Sequence, residues 1–310
     1  MLLRPPTMLQ WTNLAGLFVC VLAPTSVAYG GDAAPFPDAL DAAAVIADTL
    51  DDVKKKALVL GNGDLNALLF SQGKTLKLRI SKNDVWDARI DTSEDPPPAR
   101  FNVEDHSWRG GASRVPSWHG RPYPLPRTCA VVTIAPDEAT GEASSPWKGR
   151  LDLRRAVATA TNDASATATA IRVLAQRNVL LIDTPATLSI SQVPAAYFAA
   201  AQEGSTDIVD WIHQVLPGDP DYGGMEFAVA MASKGNRKAI AVATSWETED
   251  VLAEAVKQAK DALADDRAAM LRKHEDYWST FWSASGVELA DRDFQNWWYR
   301  CVYHMGCFCK

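Results

Sequence analysis

The groups in this chain that could do acid–base work are the carboxylates Asp84, Asp87 and Asp91, which flank Trp86, and Glu104 and Asp105 further on. Two carboxyl groups facing each other across a sugar can cleave a glycosidic bond. These five form no clear pair in the sequence, and carboxylates in polar stretches are ordinarily solvated, so they are expected to be loop surface groups. Trp86 with Asp87, and Trp118 with His119, are the combinations best suited to touch a ligand. An aromatic face stacks on a sugar ring, and a neighbouring polar group bonds its hydroxyls. A second constellation, Cys301, His304, Cys307 and Cys309, carries the residue types that bind zinc. At about 100° per residue the four point about 0°, 300°, 240° and 80° around a helix, so they do not converge. Buried helical cysteines are therefore expected rather than a metal site. The chain contains no G-x-S-x-G elbow, Walker loop, H-E-x-x-H, C-x-x-C or G-x-G-x-x-G, and neither a metal nor another cofactor is expected.

The elements that would position these groups begin with Ala57 to Trp86, ALVLGNGDLNALLFSQGKTLKLRISKNDVW. Leu58 to Leu60 reads as a strand entering Gly61-Asn62-Gly63-Asp64, where glycine supplies positive φ and Asn or Asp caps its own backbone. Leu65 to Phe70 and Thr75 to Ile80 read as a hairpin around Ser71-Gln72-Gly73-Lys74. In it Lys77 and Arg79 alternate with Leu76, Leu78 and Ile80, one wet face and one buried face. Asp91 to Pro126 is rich in proline and glycine and reads as a long loop, with Trp108, Trp118, His106, His119 and Tyr123 either pinning it down or binding something.

From Cys129 onward strand signals recur at Ala130 to Ile134, Arg150 to Leu153, Val157 to Thr161, Ala166 to Leu174, Val179 to Ile182, Thr187 to Ser191, Met225 to Met231 and Ala239 to Thr244. About ten short strands at this spacing predict an antiparallel β-sandwich. The pattern changes near Thr248, where Leu252, Val256, Ala259, Leu263, Met270, Tyr277 and Phe281 follow at helical spacing. Arg267 and His274 interrupt that stripe, which predicts a break between Ala264 and Arg267. After a turn at Ser283 to Gly286, Asp291 to Lys310 reads as a helix that is apolar nearly all round and must be buried.

With 310 residues, 47% hydrophobic and 22% charged, the chain can bury a large core. A net charge of −7 with interspersed signs gives no footprint for nucleic acid or an anionic membrane. Arg4, the apolar run Leu14 to Ala23 and small residues around Ala28 to Gly30 have the layout of a secretory signal peptide, so residues 1–30 are expected to be removed on export. The alternative, a membrane anchor, needs a longer apolar run. Cys129, Cys301, Cys307 and Cys309 are too few for a disulfide framework in the remaining chain.

Three blocks together resemble one architecture. LGNGDLNALLF with LRISKNDVW is similar to the N-terminal sandwich signature of glycoside hydrolase family 95, through Gly61, Asn62, Gly63, Ala67, Phe70, Asn83 and Trp86. LDLRRAVATAT with RVLAQRNVLLI resembles a strand pair of that family. HEDYWSTFWSASGVEL with WWYRCVYHMGCF resembles its linker helix and the first helix of an (α/α)6 barrel. The resemblance implies a β-sandwich over residues 31–246, linker helices over 247–286, and the start of a barrel domain over 287–310. It further implies a carbohydrate partner and a fragment that is inactive without its helical barrel, because the family's acid and water-activating residues lie in that barrel. No catalytic residue is carried over. The alternative is a stand-alone secreted carbohydrate-binding or cell-surface module.

Overall fold

The computed structural model describes residues 33–91, 100–109, 122, 124–135, 146–162, 167–194, 198–206 and 208–309. The chain divides into Met1–Gly31 and Asp32–Lys310, and the described residues all belong to the second unit. The expected signal peptide, Trp118 and His119 lie outside the described residues.

A short helix α1 (Pro37–Ala42) and strand β1 (Val45–Ala47) lead into β2 (Leu58–Gly61), β3 (Leu65–Gln72) and β4 (Thr75–Asp87). A small hairpin, β5 (Arg100–Asn102) and β6 (Ser107–Arg109), lies within the stretch read as loop. Then come β7 (Leu125–Ala135), β8 (Lys148–Asp152), β9 (Val157–Asn162), β10 (Thr167–Val173), β11 (Val179–Asp183) and β12 (Thr187–Ser191). Strands β13 (Gln202–Thr206), β14 (Val209–Leu216), β15 (Met225–Lys234) and β16 (Arg237–Thr244) complete the sheets. The helices α2 (Val251–Ala264), α3 (Arg267–Ser283) and α4 (Arg292–Phe308) follow.

The fold is mainly β with C-terminal helices, as the sequence predicts. Nine strands form one antiparallel sheet in the order β1-β8-β9-β10-β11-β16-β15-β14-β13, and five form another, β12-β7-β4-β3-β2. Alternate residues of both sheets, among them Leu60, Leu78 and Val132 from one and Ile171, Leu180 and Ile240 from the other, share a single buried cluster. The central strands β15 and β16 are buried on both faces. Their second face is nearly all alanine (Ala228, Ala230, Ala232, Ala239, Ala241, Ala243), and α2 lies on it through Ala255, Ala259 and Ala262. Small side chains on both partners let the helix approach the sheet closely. Asp250 starts α2 by accepting from the Ala253 amide at 2.9 Å.

The break before Arg267 is real, but its cause is not an interrupted stripe. Asp266 caps α3, and Arg267 forks onto Asp183 at 2.7 and 2.6 Å. His274 belongs to the buried row Met270, His274, Trp278, Trp282, spaced at four residues. That row meets Tyr299 and Tyr303 of α4, with Trp278 5.2 Å from Tyr303 and Trp282 5.8 Å from Tyr299 between ring centres. Gly306 sits where a Cβ would press on the Phe281 ring.

The expectation that α4 is buried all round is corrected. Gln295, Tyr299, Tyr303 and Cys307 are buried, whereas Phe294, Trp297, Met305 and Phe308 are between 46% and 63% exposed. At 3.6 residues per turn these four share one side of the helix. The cysteines divide accordingly, Cys307 buried, Cys301 half-buried and Cys309 exposed beyond the last turn, so they are not a set of buried helical thiols.

Candidate functional site

Strand β4 continues seven residues past Ile80 through polar sequence, with irregular pairing to β7 between Ile80 and Ser81 and between Ser81 and Trp86. Such bulges turn side chains that a regular ladder would place elsewhere. Asp84 and Asp87 therefore lie in a strand, not in a solvated loop as their composition suggests.

On the β3 side the pairing stays regular as far as Lys82, and the period of two places Lys82 on the same face as Leu76, Leu78 and Ile80. Its side chain is 2% exposed and its ammonium meets three carboxylates, Asp84 at 2.8 Å, Glu247 at 3.0 Å and Asp64 at 3.3 Å. Asn178 donates to Asp64 at 2.8 Å and to Glu247 at 3.2 Å. The Thr244 hydroxyl donates to Asp84 at 2.7 Å, and its amide to Glu247 at 3.3 Å. Burial pulls the Lys82 pKa down, but the hydrogen bonds it donates to Asp84 and Glu247, with their negative charges, outweigh it and hold the amine above its ordinary value. The ammonium is thus a fixed charge at neutral pH and not a proton carrier. Beneath it the Cys129 thiol, 1% exposed, is pushed up by burial to about 12 and is no nucleophile.

The glycine-bracketed turn supports this cluster from above. Gly63 has φ +88°, which glycine adopts without strain. Asn62, fully buried, accepts from the Asp64 and Leu65 amides at 3.0 and 2.8 Å. Its amide group donates to the Leu174 and Arg177 carbonyls, both at 3.0 Å. One side chain thereby closes the β2–β3 turn and ties it to the β10–β11 turn in the other sheet. At Gly61 a Cβ would collide with the Asn66 side chain and the Cys307 carbonyl. The Gly63 amide donates to that carbonyl at 2.8 Å, so the turn also grips the end of α4.

Trp86 stands at the rim of this assembly, 42% exposed, with its indole N–H donating to the Asn83 carbonyl at 2.7 Å. Asn83 in turn donates to Gly63 at 2.8 Å and to the Phe308 carbonyl at 3.2 Å. Asn83 thus holds the Trp86 indole through its carbonyl and the Phe308 backbone through its side chain. The Asp64 and Glu247 carboxylates of the Lys82 cluster are partly exposed. A fixed, exposed aromatic face suits the apolar face of a polyhydroxylated ligand.

Asp87 does not share this surface. It is 1% exposed, and both of its oxygens accept from the Arg89 guanidinium at 3.0 and 3.3 Å. Arg89 and Arg127 both face the Phe198 ring, at 5.2 and 4.4 Å. Asp87 therefore positions the chain leaving β4 instead of meeting a ligand. Sequence reasoning also missed Lys82, Asp64, Asn178 and Glu247. Only Lys82 had a local signal, a cation where alternation calls for an apolar residue. The others lie as far as 183 positions of chain apart and are brought together by the two sheets.

His274, 2% exposed, is fixed as a neutral ring, with Nδ1 accepting from the Ala175 amide at 3.3 Å and Nε2 donating to the Arg155 carbonyl at 2.9 Å. Burial lowers its pKa. Among the described residues no group of three His, Cys, Asp or Glu is gathered to hold a metal ion. Within them no helix is long and apolar enough to cross a membrane. No protein-family model matches the chain, and neither does any curated protein.

Proposed function

We propose that this chain is the β-sandwich and linker portion of a secreted glycoside hydrolase-like protein, and that Trp86 is a stacking platform for a sugar ring. The observation that carries this reading is the exposed indole held by the Asn83 carbonyl. A tryptophan that is 42% exposed yet hydrogen-bonded to backbone is preorganised, so a ligand does not have to order it.

The Asp64, Asp84 and Glu247 carboxylates all engage the Lys82 ammonium, which suits support and not acid–base exchange. On this reading the hydrolytic acid and its partner belong to a helical barrel domain that begins with α4. The outward aromatic face of α4 supports that part, since Phe294 and Trp297 stack on each other at 5.7 Å in the open and a neighbouring helix would cover them.

Trp86→Ala is the test. Stacking of one ring contributes roughly 0.5–1.5 kcal/mol beyond its buried area, so oligosaccharide affinity should fall about tenfold while the melting temperature holds. Unchanged affinity across a panel of neutral oligosaccharides sinks the platform. Sugar binding without any hydrolysis by the full-length protein would favour the stand-alone binding module.

A further inference from the structure

The five-stranded sheet has an outer face, and near β12 it carries a groove of about 510 Å³ lined by Asp51, Phe70, Lys77, Arg79, Val131 and Ser191. Lys77 and Arg79 project from the same side of β4, two residues and so roughly 6.6 Å apart. Their cross-strand neighbours are all uncharged. Lys77 lies between Phe70 and Thr133, and Arg79 between Leu68 and Val131. Among the described residues neither cation has a carboxylate partner. Asp51, the acid on the rim, is held by Lys56 at 3.0 Å. Elsewhere Arg89, Arg154, Arg155, Arg172, Arg177 and Arg267 each meet an Asp or Glu. Two adjacent cations without a carboxylate partner concentrate positive charge on one sheet face of a chain whose net charge is −7.

The groove has the other parts of a binding site. Arg79 lies against the Phe70 ring, its guanidinium 5.9 Å from the ring centre, which holds the fork in place with its N–H groups free to donate. Val131 provides apolar floor. The Ser191 hydroxyl, which donates to the Val131 carbonyl at 3.3 Å, keeps its lone pairs for a ligand hydroxyl. Like charges this close repel each other, and an oxyanion placed between them relieves that repulsion while gaining two charge-assisted hydrogen bonds.

We propose that this outer face binds an acidic oligosaccharide, with a uronate carboxylate or a sugar sulfate seated between Lys77 and Arg79. The saccharide half of the assignment rests on the carbohydrate reading above, and the oxyanion half rests on the groove alone. The groove and Trp86 lie nine residues apart along β4, on the order of 30 Å, so the two sites are separable.

Calorimetric titration of the full chain with a galacturonic acid tetrasaccharide and with its neutral galactose counterpart tests this. The acidic sugar should bind, and the Lys77→Gln/Arg79→Gln double variant should weaken it about tenfold, the combined effect of two exposed ion pairs. Raising NaCl from about 0.02 to about 0.3 M should weaken it comparably. Thr133→Asp, which places a carboxylate opposite Lys77, should weaken binding by a similar factor. Equal affinity for the acidic and neutral sugars, or indifference to the double variant in a protein that melts normally, overturns the assignment. If the neutral sugar binds through Trp86 while the acidic one ignores Lys77 and Arg79, the groove proposal falls and the carbohydrate reading stands. If neither sugar binds, both fall.

Discussion

Replacing Lys82 with methionine keeps most of the side-chain volume and removes one charge, so it isolates what the ammonium contributes. In the wild type three carboxylates converge on it at 2.8 to 3.3 Å. Removing one partner of a buried ion pair costs about 3–5 kcal/mol, because the remaining charge is left without compensation. Here the carboxylates are 21%, 29% and 37% exposed, and water takes over part of the lost solvation. The expected loss is about 2–3 kcal/mol. With an m-value of about 3 kcal/mol/M for a unit of this size, the urea midpoint should drop by about 0.7–1 M at unchanged slope. The pH dependence gives an independent check. The folded pKa of Lys82 is raised above the ordinary value of 10.5, so its stabilisation is complete below that pH and is lost as pH rises through the folded value. The gap between wild type and Lys82→Met should therefore stay constant from about pH 7 to about pH 10 and close above that. A midpoint shift below about 0.2 M, or a gap that persists at strongly alkaline pH, refutes the claim that the ammonium holds this end of the fold together.

Two further outcomes follow from buried polar groups. Asn62→Ala deletes two bonds within the β2–β3 turn and two to the β10–β11 turn, and should cost about 2–4 kcal/mol by thermal unfolding. A cost under about 1 kcal/mol would show that the two turns hold their positions without it. His274 is buried as a neutral ring with its pKa lowered from 6.5, so the unfolded chain takes up its proton first and stability falls as pH drops below about 6.5. His274→Gln should flatten that acid limb in urea titrations between about pH 7 and about pH 5, and an identical limb in the variant would remove His274 as its source.

Much of the scaffold was readable because its signals are local. The alternation in Leu76 to Ile80 gave the β3–β4 hairpin, and the Asn-Gly turn gave its own side-chain capping. The strands missed were β1, β5, β6, β13 and β14, which are short, polar or only partly alternating, and which form because a neighbouring edge offers them hydrogen bonds. On α2 the expected stripe is half right: Ala259 and Leu263 are buried, but Leu252 and Val256 are only half-buried, and Val251 and Ala255 take the positions against the alanine face of β15 and β16.

The sequence by itself determined the mainly β fold, its helical C-terminus, the Gly61 to Asp64 turn and the candidacy of Trp86, because period, turn chemistry and residue type act within a few positions. Only the tertiary structure decided which charges meet. It buried Asp87 against Arg89, gathered Asp64, Asp84 and Glu247 around Lys82, and left Lys77 and Arg79 without a carboxylate partner among the described residues. Ion pairing depends on distances of a few ångströms between residues far apart in the chain, and those distances exist only once the two sheets have closed over their common core.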